Sequence, residues 1–227
     1  MSNLLTSSIG KKLIMSLSGL FLITFLLVHL TVNLMLVFDD SGILFNKAAH
    51  FMGSNPVIEL MEPVLALGFI IHIIYASYLT LQNQMARPKG YARSEQGSNA
   101  SWASRNMYIL GGLVLVFLVL HLYNFFWKIK YAGDPLLAPV VIDGVETENA
   151  YALVSTLFRE SVLFDVLYIA GAILLGLHLT HGFWSAFQTI GWNNDIWRNR
   201  LKAVAYFFAF VFGIGFSIIP LYFLFFV

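Results

Sequence analysis

Six histidines are the residues of this chain best suited to chemistry, and five of them, His29, His72, His121, His178 and His181, lie inside long apolar runs. Ionisable side chains within a membrane span are costly, rare and usually functional. Any one of them alone could do no more than hydrogen-bond a neighbouring helix. Four separate runs each contribute at least one, however, and their depths pair. At a helical rise of about 1.5 Å per residue, His29, 17 residues after Lys12, and His121, 16 after Arg105, stand roughly 24–26 Å from those basic residues. His72 and His178 each precede a glutamine, Gln82 and Gln188, by ten residues, which puts both roughly 15 Å from the same boundary. Two levels with two imidazoles each is the pattern that two stacked bis-histidine centres need.

Neutral imidazole serves iron, copper and zinc alike, so the ligand type alone does not name the metal. Cysteine is absent, which removes disulfides, zinc thiolates and iron–sulfur ligation by this chain. Two donors per level, with no carboxylate and no third histidine at either level, fit an axial pair on haem iron better than a tetrahedral or facial site. Glycines lie near these residues: Gly19 and Gly111 ten positions before His29 and His121, Gly68 four before His72, and Gly171 and Gly176 before His178. Small residues also serve ordinary helix contacts in membranes. His178 and His181 share one helical face, so either could supply the inner ligand; the depth match prefers His178. His50 falls in a loop sequence and reads as solvated.

These residues need helices to carry them, and the composition supplies them. Of 227 residues, 59% are hydrophobic and 11% charged, with a mean hydropathy of +0.77. An ordinary soluble domain is about 45–50% apolar and about 25% charged. Soluble, disordered and nucleic-acid-binding classes are excluded together. Five runs are long enough for a hydrocarbon layer of roughly 30 Å, near residues 13–38, 57–81, 107–127, 162–187 and 203–227. None shows the two-residue alternation of a barrel strand. The expectation is an all-α membrane bundle of five spanning helices forming one domain over 1–227, with the first run too long for a secretory leader.

Basic residues in the short loops set the orientation. Lys11, Lys12, Arg87, Lys89, Arg93, Arg105, Arg198, Arg200 and Lys202 share one side, which reads as cytoplasmic. Lys47, Lys128, Lys130 and Arg159 share the other with most of the acids, so the N-terminus lies inside and the C-terminus outside. Trp102, Trp127, Trp192 and Trp197 stand at segment ends, as interfacial anchors do. The longest loop, about 128–161, has room for a hairpin or short helix but not for a catalytic domain. Chemistry on a water-soluble substrate therefore belongs to a partner. No repeat of helix pairs is evident, which argues against a transporter built on repeats.

Five stretches together carry a family resemblance: His-Leu-Thr-Val-Asn at 29–33, Phe-Asn-Lys-Ala-Ala-His-Phe-Met at 45–52, His72 with Tyr75, His121, and His-Leu-Thr-His-Gly-Phe-Trp-Ser at 178–185. The sequence resembles the cytochrome b membrane anchor of bacterial succinate dehydrogenases and fumarate reductases, in the single-subunit, five-helix, two-haem form. The resemblance implies a distal haem b on His29 and His121 and a proximal haem b on His72 and His178. It further implies a flavoprotein with FAD and an iron–sulfur protein docked on the cytoplasmic face, electron exchange with menaquinone, and residence in the bacterial cytoplasmic membrane.

Quinone chemistry needs a proton donor or acceptor near the ring oxygens. Asp39, His50, Glu59 and Glu62 lie at the outer ends of the first two spans, and Glu62, beside Pro63 within the apolar run, is preferred because burial would tune it. Ser16 and Arg105 are candidates for haem propionate contacts, and Arg87, Lys89 and Arg93 for propionates or the iron–sulfur subunit. His181 is left for a propionate, a quinone or a backbone carbonyl. Two other readings stand beside this one: a cytochrome b of a hydrogenase or formate dehydrogenase, and a histidine-lined metal or proton transporter. The latter calls for acids at mid-membrane, and only Asp165, near an end, comes close.

Overall fold

A computed structural model describes residues 7–86, 101–192 and 194–226. The chain is an α-helical bundle, and five of its helical segments are long and apolar enough to cross a membrane. They are α1 (Ser8–Phe38), α3 (Pro56–Met85), α5 (Met107–His121) with the π-helical turn sequence Leu122–Ala132 that continues it, α7 (Val162–Thr189) and α8 (Asp195–Phe226). Each extends past the apolar run read from sequence, because a helix starts at its cap and not at the first apolar residue. Ser7 caps α1 by accepting from Gly10 N–H at 3.0 Å, and Asn55 caps α3 at Val57 N–H, 2.9 Å away, with Pro56 at the first helical position. Arg87, Lys89 and Arg93 lie outside the described residues.

One end of the bundle carries Lys11, Lys12, Arg105, Arg198, Arg200 and Lys202; it is called the basic end below. The opposite end is capped by α2 (Ile43–Ser54), a hairpin of β1 (Val140–Ile142) and β2 (Val145–Thr147), and α6 (Ala150–Glu160). The room foreseen in the 128–161 loop is therefore used by a hairpin and a short helix. The short α4 (Trp102–Arg105) leads into α5. Trp102, Trp127, Trp192 and Trp197 are all exposed, at the ends where interfacial anchors belong.

Lipid tails are as apolar as leucine, so packing and not water exclusion must hold such helices together. The closest pair is α7 and α8, where Gly176 brings the chains together: a Cβ there would stand 2.8 Å from Ala209 O. Helix α1 runs against α3, α7 and α8. Leu36, fully buried, joins Phe45, Val154, Phe158 and Phe223 beneath the cap, while Ile23, Leu30, Phe183 and Phe212 form a second core nearer the basic end. Helix α3 contributes no buried residue and meets α5 in few places.

The cap is tied by polar groups from the family-like stretch at 45–52. Asn46, 4% exposed, donates to Asn149 Oδ1 at 3.0 Å and accepts from Tyr151 N–H at 2.8 Å, completing the N-terminus of α6. Gly42, with φ at +74°, opens α2 where any side chain would run into the Tyr151 ring. Removing one partner of a buried hydrogen bond costs about 1–3 kcal/mol. Asn46→Ala should therefore lower stability by about that amount, read from thermal unfolding of the detergent-solubilised protein. Between α1 and α2, Asp39 accepts from Ser41 Oγ–H at 2.6 Å, Leu44 N–H at 2.7 Å and Ser41 N–H at 3.1 Å. These bonds, the Ser41 hydroxyl foremost, hold its carboxyl below the ordinary aspartate range. A depressed carboxylate stabilises the turn above that range and loses the contribution as pH falls through its lowered value. The Leu44 amide resonance should accordingly titrate below the ordinary aspartate range in the wild type and not at all in Asp39→Asn.

Candidate functional site

The four histidines singled out by depth come together as the two expected pairs. At the level nearer the cap, His29 of α1 and His121 of α5 have ring centroids 5.6 Å apart with planes at 90°. At the level nearer the basic end, His72 of α3 and His178 of α7 have centroids 6.4 Å apart with planes at 71°. Among the described residues no group of three or more histidine, cysteine, aspartate or glutamate side chains converges on one point. The donors come only as pairs.

Glycine sets the position of the inner rings. A Cβ on Gly19 would stand 3.4 Å from Cε1 of His72, and one on Gly111 would stand 3.3 Å from Cε1 of His178. Each inner histidine thus rests on bare backbone of the helix that carries an outer histidine. The stretches that do this match: Gly19, Phe25, Leu26, His29 and Leu30 in α1 correspond to Gly111, Phe117, Leu118, His121 and Leu122 in and after α5. The phenylalanine four residues before each outer histidine lies against it, at 5.2 Å for Phe25 and 6.0 Å for Phe117. The helix pairs α1–α3 and α5–α7 therefore share one local arrangement, a glycine against an inner histidine ten residues before an outer one. Spacing alone hid it, because only the contacts reveal which glycines meet which histidines.

Hydrogen bonds hold two of the four histidines. Ser18 Oγ–H donates to Met15 O at 3.0 Å, so its oxygen is left to accept from Nδ1–H of His72 at 3.3 Å. That tautomer leaves Nε2 of His72 with a free lone pair, which a metal ligand requires. The Asn33 amide donates to the His29 backbone carbonyl at 2.8 Å and lies 3.4 Å from its Nδ1. Nδ1 of His178 is buried without a partner. Around the outer pair, His121 is flanked by Phe125 at 5.3 Å and Tyr168 at 6.0 Å, and Tyr168 accepts from Asn124 Nδ2 at 3.2 Å. The π-helical winding begins at the residue after His121. Such windings recur at functional sites.

The remaining candidates fall less closely. Ser16 is buried on α1, but Ser18 and not Ser16 reaches an inner histidine; its place next to Gly19 was the available signal. Arg105 is exposed at the end of α4, beside a cavity of about 510 Å³ that it lines with Thr80, Asn83, Gln84 and Tyr108. His181 does not join the inner pair: its ring meets Trp184 edge-on at 5.1 Å, and its buried Nδ1 is unpartnered. His50 is exposed, as is Glu59. Glu62 departs from expectation. Its side chain is 39% exposed and pairs with Lys130 at 3.1 Å, because Pro63 and its neighbours face outward from a helix that buries nothing.

A metal–imidazole bond of about 2.0–2.1 Å on each side, with half a ring beyond, places two trans imidazole centroids roughly 6 Å apart. Both pairs lie near that separation. His29 with His121, and His72 with His178, are thus spaced as two imidazoles sharing one metal ion would be. By fold the chain is a multi-pass α-helical membrane protein. Compared with models of known families, with curated proteins and with solved structures, it matches none.

The neighbouring glycines make a controlled comparison. Gly111 abuts His178, whereas a Cβ on Gly112 meets nothing within 4 Å. Overpacking typically costs about 1–3 kcal/mol, so Gly111→Val should destabilise the folded protein by about that much. Gly112→Ala should be neutral or stabilising by up to about 1 kcal/mol. Thermal unfolding of the two variants side by side checks both.

Proposed function

We propose that this chain is the membrane anchor and cytochrome b subunit of a succinate:quinone oxidoreductase, holding one haem b between His29 and His121 and a second between His72 and His178. The observation that carries the reading is the pairing of four histidines from four helices at 5.6 and 6.4 Å on two levels. The sequence resemblance supplies the family, and the segments joining the described spanning helices, each too short for a soluble catalytic domain, agree with it. Each haem, when bound, supplies a one-electron couple between soluble partners and quinone.

The chain's own residues do the rest. Ser18 fixes the proton of His72 on Nδ1, so that Nε2 faces the interior. Gly19 and Gly111 let the inner rings lie against neighbouring backbone, and the phenylalanines at 25, 117 and 125 exclude water from the outer rings. The basic end is cytoplasmic by the rule that short cytoplasmic loops are rich in lysine and arginine, with the N-terminus inside and the C-terminus outside. That end receives the iron–sulfur protein, which carries electrons from an FAD-containing flavoprotein. The capped end faces outward, and the outer haem exchanges electrons with menaquinone there. The membrane is the bacterial cytoplasmic membrane.

The test is a dithionite-reduced minus oxidised spectrum of the purified chain with haem quantified. About two haems b per chain are expected. His178→Ala should lose one of them and His181→Ala should retain both, since only His178 faces His72. A folded, colourless wild-type chain overturns the reading.

A further inference from the structure

Asp165 is the one carboxylate enclosed within the spanning helices among the described residues: it is 0% exposed, and neither of its oxygens has a hydrogen-bond partner. It lies in the first turn of α7, where the helix dipole favours an anion by about 0.3–2 kcal/mol. Enclosing an unpaired charge costs several kcal/mol. The dipole falls short of that cost, so helix stability does not account for an acid here. The arrangement shared by the two helix pairs sharpens the point. Glu59 stands 13 residues before His72 as Asp165 stands 13 before His178, yet Glu59 is exposed. Only the α7 position is enclosed.

Asp165 also stands one helical turn from a residue that touches the outer pair. Tyr168, three residues deeper on α7 and so about 4.5 Å further along the axis, touches the His121 ring and accepts from Asn124. The other charged or titratable groups at this end of the elements packed on α7 are Asp39 just after α1, Tyr123, Lys128, Lys130 and Tyr131 on the continuation of α5, Tyr151, Arg159 and Glu160 on α6, and Tyr222 on α8. None forms an ion pair or hydrogen bond with Asp165. Asp39 is engaged by Ser41 and Leu44, and Lys128 by Asp134. The charge of Asp165 is therefore answered by no fixed group, only by whatever charge the outer site carries.

We propose that Asp165 is the proton-exchanging group of the outer site, binding one proton when that site gains an electron and releasing it when the electron leaves. The proposal rests on the haem reading above. A haem held by His29 and His121 would carry one more positive charge when oxidised than when reduced, and that charge would favour the Asp165 carboxylate. One electron, delivered by quinol or by dithionite, cancels it. The carboxylate then takes one proton from hydronium on the capped side, an O–H forming on Asp165 as one breaks on hydronium; when the electron leaves, the Asp165 O–H breaks and the proton returns to water.

The test is a redox titration of both haems in the haem-loaded protein across neutral pH, for wild type, Asp165→Asn and Asp165→Glu. In the wild type, one midpoint falls as pH rises. In Asp165→Asn that dependence is lost for this haem and unchanged for the other; Asp165→Glu retains it. A haem-loaded Asp165→Asn protein with the wild-type dependence overturns the proposal. Should Asp165→Asn not load haem, redox-induced infrared difference spectra of wild type labelled with carboxyl-13C aspartate decide it. A protonated carboxyl band that appears on reduction and shifts with the label is expected, and no such band overturns the proposal. A wild-type chain that binds no haem overturns the underlying reading instead, and its spectrum reveals this before any titration.

Discussion

An imidazole resting on the bare backbone of a glycine is the contact on which the interior of this bundle depends. In lipid no water exclusion drives helices together, so their separation is set by what they place between them. Gly19 beneath His72 and Gly111 beneath His178 fix two things at once: how closely α1 approaches α3 and α5 approaches α7, and where each inner ring stands. The outer histidines follow from the same helices, ten residues further along, or nearly three turns. Two levels of facing imidazoles are thus one arrangement used twice.

The same constraint explains how polar groups are distributed. A buried polar atom needs a partner, and most of those in this interior have one: His72 with Ser18, Asn124 with Tyr168, Asn46 with Asn149 and the backbone of Tyr151. Among the described residues four of the five exceptions, the free Nδ1 atoms of His178 and His181 and both oxygens of Asp165, lie on α7; the fifth, Arg198 Nε, lies at the start of α8. Helix α7 touches α1, α5 and α8 together. A residue there is enclosed from more directions than one on α3, which buries nothing, and its polar groups carry correspondingly more free energy. Glu62 and Asp165 illustrate the contrast, one half-exposed with Lys130 beside it and the other sealed and alone.

Much of the site was legible from spacing because helical depth is linear in residue number. Distances from Lys12, Arg105, Gln82 and Gln188 sorted His29 with His121 and His72 with His178, and the structure brings together those two pairs. Spacing could not sort directions around a helix axis. It took Glu62 as buried because an apolar run looks the same whether it faces protein or lipid. The asparagine at 46 was visible within a family-like stretch, but its work, closing α6 across more than a hundred residues, depends on a contact that no local pattern encodes.

Composition and periodicity by themselves determined a membrane bundle of five long helices and the depth of each histidine, since hydrophobicity and helical rise are properties of the chain alone. Only tertiary structure decided which face of each helix turns inward. With that came the glycine–histidine contacts, the separation of His181 from the inner pair and the isolation of Asp165. The physical reason is that the cost of a buried polar group depends on what surrounds it from neighbouring helices, and in an almost wholly apolar sequence those surroundings are fixed only when the helices meet.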